Sequence, residues 1–240
     1  MRHFLFASLC LLVVLSSCSY MGGKRVTGDG NLTSQNRNVG NFSGVEVTGS
    51  MEVIVSQGPT ATVRVDADEN LHSYIVTELD GNVLEVRPRK GYNLKPRAGI
   101  KIYVTAPQYG SLEITGSGTI KSSSKITHGS EMQMQVVGSG DIIVDADAPT
   151  IRTEISGSGN ITMSGNTRTL GTEINGSGEV HGFNLLSEAT EVEINGSGNA
   201  EVFASKQLNV SIAGSGDVQY KGTPTINQSI AGSGNIRKAP

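Results

Sequence analysis

Residues 192–200 read Val-Glu-Ile-Asn-Gly-Ser-Gly-Asn-Ala, and variants of this segment recur through the second half of the chain. In each copy an apolar residue lies two positions before a Gly-Ser-Gly triplet, and another lies two positions after it. The triplets recur every 18 to 22 residues and begin at Gly116, Gly138, Gly157, Gly176, Gly196, Gly214 and Gly232. A nearly fixed period indicates stacked structural units instead of one irregular globule.

The pattern around each triplet predicts two short strands joined by a sharp corner. Apolar residues alternate with polar ones on both sides, which is typical of strands with one buried face. Glycine adopts positive φ without steric cost and therefore fits the corner. Such a unit is too short for a strand, a helix and a return strand, but it accommodates one coil. We therefore predict an all-β chain in which residues 107–240 form a right-handed parallel β-solenoid, or β-helix.

The region before the repeats, residues 39–106, also has the alternation of strands. Val45 and Val47 are spaced by two, as are Ile102 and Val104. Residues 69–79 fit either a helical turn or a strand. We expect this region to form an N-terminal β cap, because the end coils of a repeat protein must be covered.

The chain begins with an export signal, which we assign to residues 1–17. Arg2 precedes an apolar run from Phe4 to Leu15, and small residues follow the run. This order is typical of a secretory signal peptide, and the apolar run is too short to span a bilayer as a helix.

Leu15-Ser16-Ser17-Cys18 resembles the bacterial lipobox, in which the cysteine becomes the lipid-bearing first residue of the mature protein. We predict a lipoprotein with acyl chains, such as palmitate, on Cys18; an ordinary signal peptide with a chance cysteine is the alternative. Residues 18–38 are rich in Gly, Ser, Thr and Asn, and we expect them to be a flexible tether. The residue after the cysteine is Ser19 and not aspartate, which by analogy with other bacterial lipoproteins suggests sorting to the outer membrane.

Composition excludes several kinds of function. The two cysteines are Cys10, inside the signal peptide, and Cys18, so the folded part has no thiol for catalysis or for zinc. The net charge is −3, which gives no electrostatic reason to expect a nucleic-acid partner. The 31 glycines and the absence of tryptophan favour thin, turn-rich β layers.

The order of these features resembles the head GIN domain family of putative auto-transporter adhesins, over about residues 39–236. The residues that carry the resemblance are Val45-Glu46-Val47, Gln57-Gly58, residues 81–86, residues 102–107 and the Gly-Ser-Gly series. The resemblance implies an all-β solenoid in a bacterial envelope protein with an adhesive role. It brings no catalytic residues.

Stacked coils would align the serines of the triplets in one row at the corner. A regular row of hydroxyl groups could bind a glycan; alternatively, the serines satisfy only the local needs of a tight turn. This candidate ligand-facing row contains Ser117, Ser139, Ser158, Ser177, Ser197, Ser215 and Ser233.

A basic cluster within the predicted cap region forms the second candidate surface. It could contact anionic lipid headgroups or acidic glycans; the alternative is a solvated loop. The cluster contains Arg87, Arg89, Lys90, Lys95 and Arg97.

Metal binding and catalysis are less favoured. The shortest repeat length, 18 residues, is twice that of the nine-residue β-roll repeats that bind calcium. Aspartate follows only two of the seven triplets, however, at Asp141 and Asp217, and calcium needs several carboxylates. The histidines His72, His128 and His181 lie far apart in the sequence, and no carboxylate pair stands out. We predict no metal and no cofactor.

Together these features favour a non-catalytic, lipid-anchored module of the bacterial cell envelope, an outer-membrane lipoprotein. We expect it to act as an adhesin that binds a glycan or a partner protein. A structural or lipid-contacting envelope lipoprotein is one alternative. A glycan-cleaving β-helix enzyme is the other, because some β-solenoids cleave polysaccharides.

Overall fold

The computed structural model describes residues 23–240, so the predicted signal peptide and Cys18 lie outside the described residues. One short 3-10 helix, Glu69–Tyr74, interrupts an otherwise all-β chain. The strands are β1 (Lys24–Thr27), β2 (Leu32–Arg37), β3 (Gly44–Gly49), β4 (Glu52–Gln57), β5 (Thr62–Asp68), β6 (Ile75–Asp80), β7 (Val83–Pro88), β8 (Tyr92–Lys95), β9 (Lys101–Ala106), β10 (Ser111–Gly116), β11 (Thr119–Ser122), β12 (Ile126–Thr127), β13 (Glu131–Gly138), β14 (Asp141–Gly157), β15 (Asn160–Gly176), β16 (Glu179–Gly196), β17 (Asn199–Ala204), β18 (Gln207–Gly214), β19 (Asp217–Gly222), β20 (Thr225–Gly232) and β21 (Asn235–Lys238).

The repeats form a parallel β-solenoid of about seven turns, which confirms the predicted fold class. Strands that run into the corners make an incoming sheet, in the order β7, β3, β10, β13, the second halves of β14, β15 and β16, then β18 and β20. Strands that leave the corners make an outgoing sheet, in the order β9, β4, β11, the first halves of β14, β15 and β16, then β17, β19 and β21.

The glycine corners stack directly on one another. The first glycine of each triplet has φ between +118° and +140° and lies opposite the equivalent glycine of the neighbouring coil. The following serine donates its backbone N–H to the first glycine's carbonyl oxygen one coil earlier, at 2.8–2.9 Å. A Cβ on the first glycine would overlap that same carbonyl, so the corner needs glycine for both its φ and its close approach.

An eighth corner, which no Gly-Ser-Gly triplet marks, lies at Gly49-Ser50-Met51. Gly49 has φ +103° and is in register with Gly116, so β3 and β4 form one more coil. The side chain of Met51 is buried where the other corners have a second glycine. Gly49 packs beside Pro88 instead of another glycine, so the stack of glycine corners ends at this coil.

The predicted aliphatic ladder fills the space between the two sheets. Its residues before the corner are buried from Ile114 to Ile212, and those after the corner are buried from Ile120 to Val218. In the last coil Ile230 is 38% exposed and Ile236 is only partly buried, because no further coil covers them.

The cap forms at the N-terminal end, as expected for residues 39–106. Strand β5 lies between β9 and β2 and pairs antiparallel with both, and β6 pairs antiparallel with β7, so antiparallel pairing replaces the parallel ladder at this end of each sheet. The 3-10 helix joins β5 to β6 and buries Leu71 completely against the core. The helical alternative therefore holds for Glu69–Tyr74, and the strand alternative holds for Ile75–Asp80.

Residues 18–38 were predicted to be a flexible tether, but in the described part of this range most residues lie in two strands. Lys24–Thr27 pairs in parallel with β8, and Leu32–Arg37 pairs antiparallel with β5. Most side chains of these two strands are exposed, so backbone pairing holds them in place and no apolar pattern marks them in the sequence.

Asp68 connects the cap to the loop that follows β8. Its carboxylate is completely buried and accepts backbone N–H bonds from Gly30 (2.6 Å), Arg97 (2.9 Å) and Ala98 (3.3 Å). Burial by itself would raise the pKa of Asp68, but these N–H donors outweigh it and lower the pKa below its ordinary value.

The glycine corner can be tested within a single strand, β15. Gly176→Ala should cost at least about 2 kcal/mol of unfolding free energy, because alanine is strained at φ +136° and its Cβ would overlap the carbonyl of Gly157. The control is Gly171→Ala, whose Cβ would meet only side-chain atoms of Arg152, at 3.6 Å or more. Urea unfolding measures both; equal losses would contradict the corner's role.

The Asp68 carboxylate should make stability depend on pH. At pH 7, Asp68→Asn should cost about 2 kcal/mol, because an amide replaces an anion among N–H donors. A depressed folded pKa stabilises the fold above the unfolded pKa of about 3.9, and this contribution disappears as pH falls through the folded pKa. The difference between variant and wild type should therefore shrink below about pH 4.

The control for this substitution is Asp66→Asn, which removes a surface pair with Arg64 and should cost under about 1 kcal/mol. Urea unfolding curves at several pH values measure both variants. A loss for Asp68→Asn that stays constant with pH, or that matches the control, would refute the assignment.

Candidate functional site

The predicted serine row lies along one edge of the solenoid. All seven serine side chains are exposed, and the in-register corners place them one above another. Asx residues just after the corners bond to one another: Asn160 Nδ2 donates to Asp141 Oδ1 at 2.8 Å, and the N–H of Asp217 donates to Asn199 Oδ1 at 3.1 Å. These contacts support the local turn chemistry and leave the serine hydroxyls available to solvent.

The basic cluster is divided between two environments. Arg87 forms ion pairs with Glu78 (3.1 Å) and Glu85 (3.2 Å), so its charge is compensated. Arg89, Lys90, Lys95 and Arg97 have no ion-pair partner among residues 23–240.

Strand β1 enlarges this basic surface. Its parallel pairing with β8 places Lys24 opposite Tyr92 and Arg25 opposite Asn93. Tyr92 in turn packs beside Tyr74, with ring centroids 4.7 Å apart. We call the surface of Lys24, Arg25, Arg89, Lys90, Lys95 and Arg97 the basic cap surface.

A column of six glutamates and one glutamine, which the sequence analysis missed, follows the outer face of the incoming sheet. Each except Glu85 lies one position before the buried residue that precedes a corner, and strand register aligns them all at about 4.8 Å spacing. From the cap toward the tail, the column consists of Glu85, Glu46, Glu113, Gln135, Glu154, Glu173 and Glu193.

The carboxylates of this glutamate column act on one another. Burial raises the pKa of Glu46, and the charges of Glu113, Glu85 and Asp80 raise it further. The face therefore carries a negative potential along much of the solenoid.

A shallow groove of about 360 Å³ lies in the middle of this face. Two residues before the glutamates of the column, strand register aligns Arg152, Gly171 and Glu191 on three successive strands. Because Gly171 has no side chain, it leaves a gap between Arg152 and Glu191. Glu154 and Glu173 form one wall, and the exposed guanidinium of Arg152, paired with Glu131 at 2.9 Å, stands at the other. Carboxylates, amides and one guanidinium thus converge on a concave surface.

Residues 23–240 contain no group of three or more His, Cys, Asp or Glu side chains placed to hold a metal ion. The three histidines of this range lie in different places: His72 is buried in the cap, and His181 lies between Glu179 and Glu201 on the outgoing sheet. His128 contacts Ser130, with Nε2 and Oγ 2.9 Å apart, but its buried Nδ1 has no partner in this part of the chain. A nucleophilic pair of this kind needs a third group to orient the base.

The described part of the chain has no helix that is long and apolar enough to cross a membrane.

Several solved structures superpose on most of this chain. A protein of Parabacteroides distasonis ATCC 8503, described as a putative lipid binding protein, is 28% identical and superposes with a TM-score of 0.76 over 90% of this chain and 100% of its own. A putative adhesin of Bacteroides fragilis NCTC 9343 is 19% identical, with a TM-score of 0.84 over 89% and 100% of the two chains.

A putative adhesin from the same Parabacteroides distasonis strain is 25% identical, with a TM-score of 0.74 over 90% of this chain and 100% of its own. No curated protein matches the chain. The model of one family, the putative auto-transporter adhesin, head GIN domain, matches residues 41–224, which include strands β3 to β19. The chain therefore belongs to the head GIN domain family of putative auto-transporter adhesins.

Proposed function

We propose that the protein is a non-catalytic, lipid-anchored module of the bacterial outer membrane that binds a ligand through the groove on its glutamate face. The observation that carries this proposal is the convergence of carboxylates, amides and the Arg152 guanidinium on the gap at Gly171. Concave surfaces with a few converging polar groups are the usual form of a binding site. The adhesin description of the family supports a binding role.

The charge of the groove limits the class of ligand. Carboxylates at successive coil spacings repel anionic glycans and attract groups with N–H donors or positive charge. A hexose or amino-sugar chain could donate its O–H and N–H groups to Glu154 and Glu173, and a basic protein segment could do the same. We therefore favour a neutral or amino-bearing glycan, or a basic partner protein, over an acidic polysaccharide.

The groove is shallow and open to solvent, which supports binding instead of chemistry. Glu173, Glu191 and Glu193 are exposed, and a glycosidase would need one carboxylic acid held apart from water with a raised pKa. Relatives described as adhesins or as a lipid binding protein agree with a non-catalytic role.

Charge removal in the groove tests this function. Liposomes that carry the full lipidated chain should adhere to a member of a panel of immobilised neutral, amino-bearing and acidic glycans and lysine-rich peptides. The double variant Glu154→Gln with Glu173→Gln should weaken that adhesion about tenfold or more, because hydrogen bonds to charged groups are worth about 1.5–3 kcal/mol.

The matched control is Glu179→Gln with Glu201→Gln, which removes the same charges from the outgoing sheet. It should leave adhesion unchanged. Equal losses in the two double variants, or adhesion to acidic glycans alone, would contradict a binding site at the groove.

A second candidate function is contact with membrane lipid through the basic cap surface. We propose lipidation at Cys18, five residues before the described chain begins, and an extended segment of that length spans at most about 18 Å. Because β1 pairs with β8, this short connection would hold Lys24, Arg25, Lys95 and their neighbours near the headgroups. A relative at 28% identity is described as a putative lipid binding protein, which favours this candidate.

Vesicle binding tests the second candidate. The full chain with Cys18→Ser should still bind vesicles that contain anionic phosphatidylglycerol, weakly and less as salt increases, because the cations remain unpaired. The triple variant Arg89→Gln, Lys90→Gln and Lys95→Gln should reduce this binding, since each cation near the surface contributes about 1 kcal/mol. Three neutralised cations on the opposite tail region, Lys206→Gln, Lys221→Gln and Arg237→Gln, are the control; equal effects would reject a specific surface.

A further inference from the structure

The tail end of the solenoid presents an unpaired strand edge. Strand β20 pairs only with β18 in the described chain, and every one of its residues is exposed. Thr225 donates its N–H to Lys206 on the side of β18, at 2.9 Å. Since alternate residues of a parallel strand bond to the same neighbour, the N–H and C=O groups of Ile226, Gln228 and Ile230 point to the free edge.

The same three residues face the interior of the coil. They are in register with Leu208, Val210 and Ile212, which are buried one coil earlier. Ile226 is 36% exposed and Ile230 is 38% exposed because the stack stops there. The edge therefore combines free backbone groups with uncovered aliphatic side chains, and no residue of β20 is charged. Such an edge is a template for pairing with another strand.

The other end of the solenoid is less suited to this kind of pairing. Antiparallel strands β2 and β6 terminate the two sheets, and the 3-10 helix covers the core there. Head-to-tail stacking, which would build filaments, would pair β20 with β6, whose Glu78 and Asp80 are charges of the kind that disfavour edge pairing. Tail-to-tail contact is therefore favoured, and two-fold symmetry closes it as a dimer.

The sequence of β20 is self-complementary in one antiparallel register. When Gln228 faces Gln228 of a second copy, Ile226 faces Ile230 of that copy, and the inward side chains stay on the inward side. These are also the residues whose backbone groups are free, so each opposing pair exchanges both N–H···O bonds. A single register thus pairs the free backbone groups, places each isoleucine against an isoleucine and brings the two Gln228 side chains together.

We propose that β20 is a self-association surface through which two copies of this chain pair tail to tail and join two opposed membranes. The joining of membranes rests on the proposed lipid anchor; the pairing of β20 does not. The incoming strands from β6 to β20 stack to a height of about 45 Å, so the dimer would hold its two anchors about 90 Å apart. The partner that this end recognises is then a second copy of the same protein.

The contact is small, so one pair of molecules binds weakly and many pairs act together. An interface of one strand and two isoleucines per copy falls below the roughly 1,200 Å² of stable complexes. Copies on the same two surfaces engage together, and such multivalency can strengthen adhesion by about 10²–10⁴. Arg237 and Lys238 on β21 come close to their counterparts, so salt should strengthen the contact by screening them.

Two populations of liposomes, each labelled with a different dye and carrying the full lipidated chain, test the proposal. The wild-type chain should make the two populations co-aggregate. Co-aggregation should be stronger at 0.5 M than at 0.05 M salt, because the Debye length falls from about 14 Å to about 4 Å and the repulsion between the tail cations is screened. Ile226→Lys should abolish co-aggregation by placing charge at the edge. Gln228→Pro should abolish it too, because it removes a free-edge N–H while leaving every bond to β18 intact.

The matched control is Leu32→Lys, which makes the same change at an exposed residue of β2, the edge strand of the capped end. It should co-aggregate like wild type. Thermal unfolding confirms that the variants are folded. Co-aggregation that survives in both folded β20 variants, or wild-type liposomes that never co-aggregate, would overturn the joining of membranes.

Sedimentation of the Cys18→Ser chain separates this proposal from the proposed function. It should show a monomer–dimer equilibrium that Gln228→Pro removes and the groove variants do not. If the Cys18→Ser chain with an unaltered β20 stays monomeric at millimolar concentration, the self-association itself is overturned, whether or not the groove binds a ligand. Adhesion to the glycan panel should be unchanged in both β20 variants, so loss of groove binding and loss of tail pairing are recognised separately.

Discussion

The structure depends on the backbone-to-backbone contact of the glycine corners. The first glycine of each triplet lies so close to the carbonyl of the coil before it that a Cβ would overlap that oxygen, and its φ is one that other residues rarely adopt. This contact sets the register of every coil against its neighbours, because a shift of one residue would place side chains where only glycine fits. Fixed register converts a repeat in sequence into columns in space, and the core ladder, the serine row and the glutamate column are three such columns.

The constraint also explains which parts of the molecule could be predicted from sequence. The triplets and the flanking apolar residues announce the corners and the core, since both are direct consequences of close stacking. Gly49 was missed because Met51 replaces the second glycine at the one corner that packs beside Pro88. Strands β1 and β2 were missed because their side chains are mostly exposed and the backbone alone holds them. Alternating apolar residues predict strands with a buried face, and edge strands such as β1 and β2 bury few side chains and lack that pattern.

The candidate site shows the same limits. The glutamate column was visible as a recurring Glu before the buried residue, but a single strand cannot distinguish a column from ordinary polar alternation. The groove depends on Gly171, whose meaning arises only when register places it between Arg152 and Glu191. The basic cluster, by contrast, was found by counting charges, and the structure then divides it: Arg87 is neutralised by two glutamates, whereas β1 adds two cations that lie more than sixty residues away in sequence.

The two ends of the solenoid differ because the chain treats them differently. At the N-terminal end, Asp68 ties three backbone N–H groups together, and the two sheets end in β2 and β6, edge strands that carry charged residues. At the other end, β20 pairs only with β18 in the described chain, its inward isoleucines are partly exposed, and it carries no charge. Natural edge strands usually carry charges or proline to prevent pairing, and β20 has neither. The closing charges lie instead on β21, which leaves one strand of the last coil free to pair. The same glycine stacking that sets the register holds these two different ends apart along the solenoid.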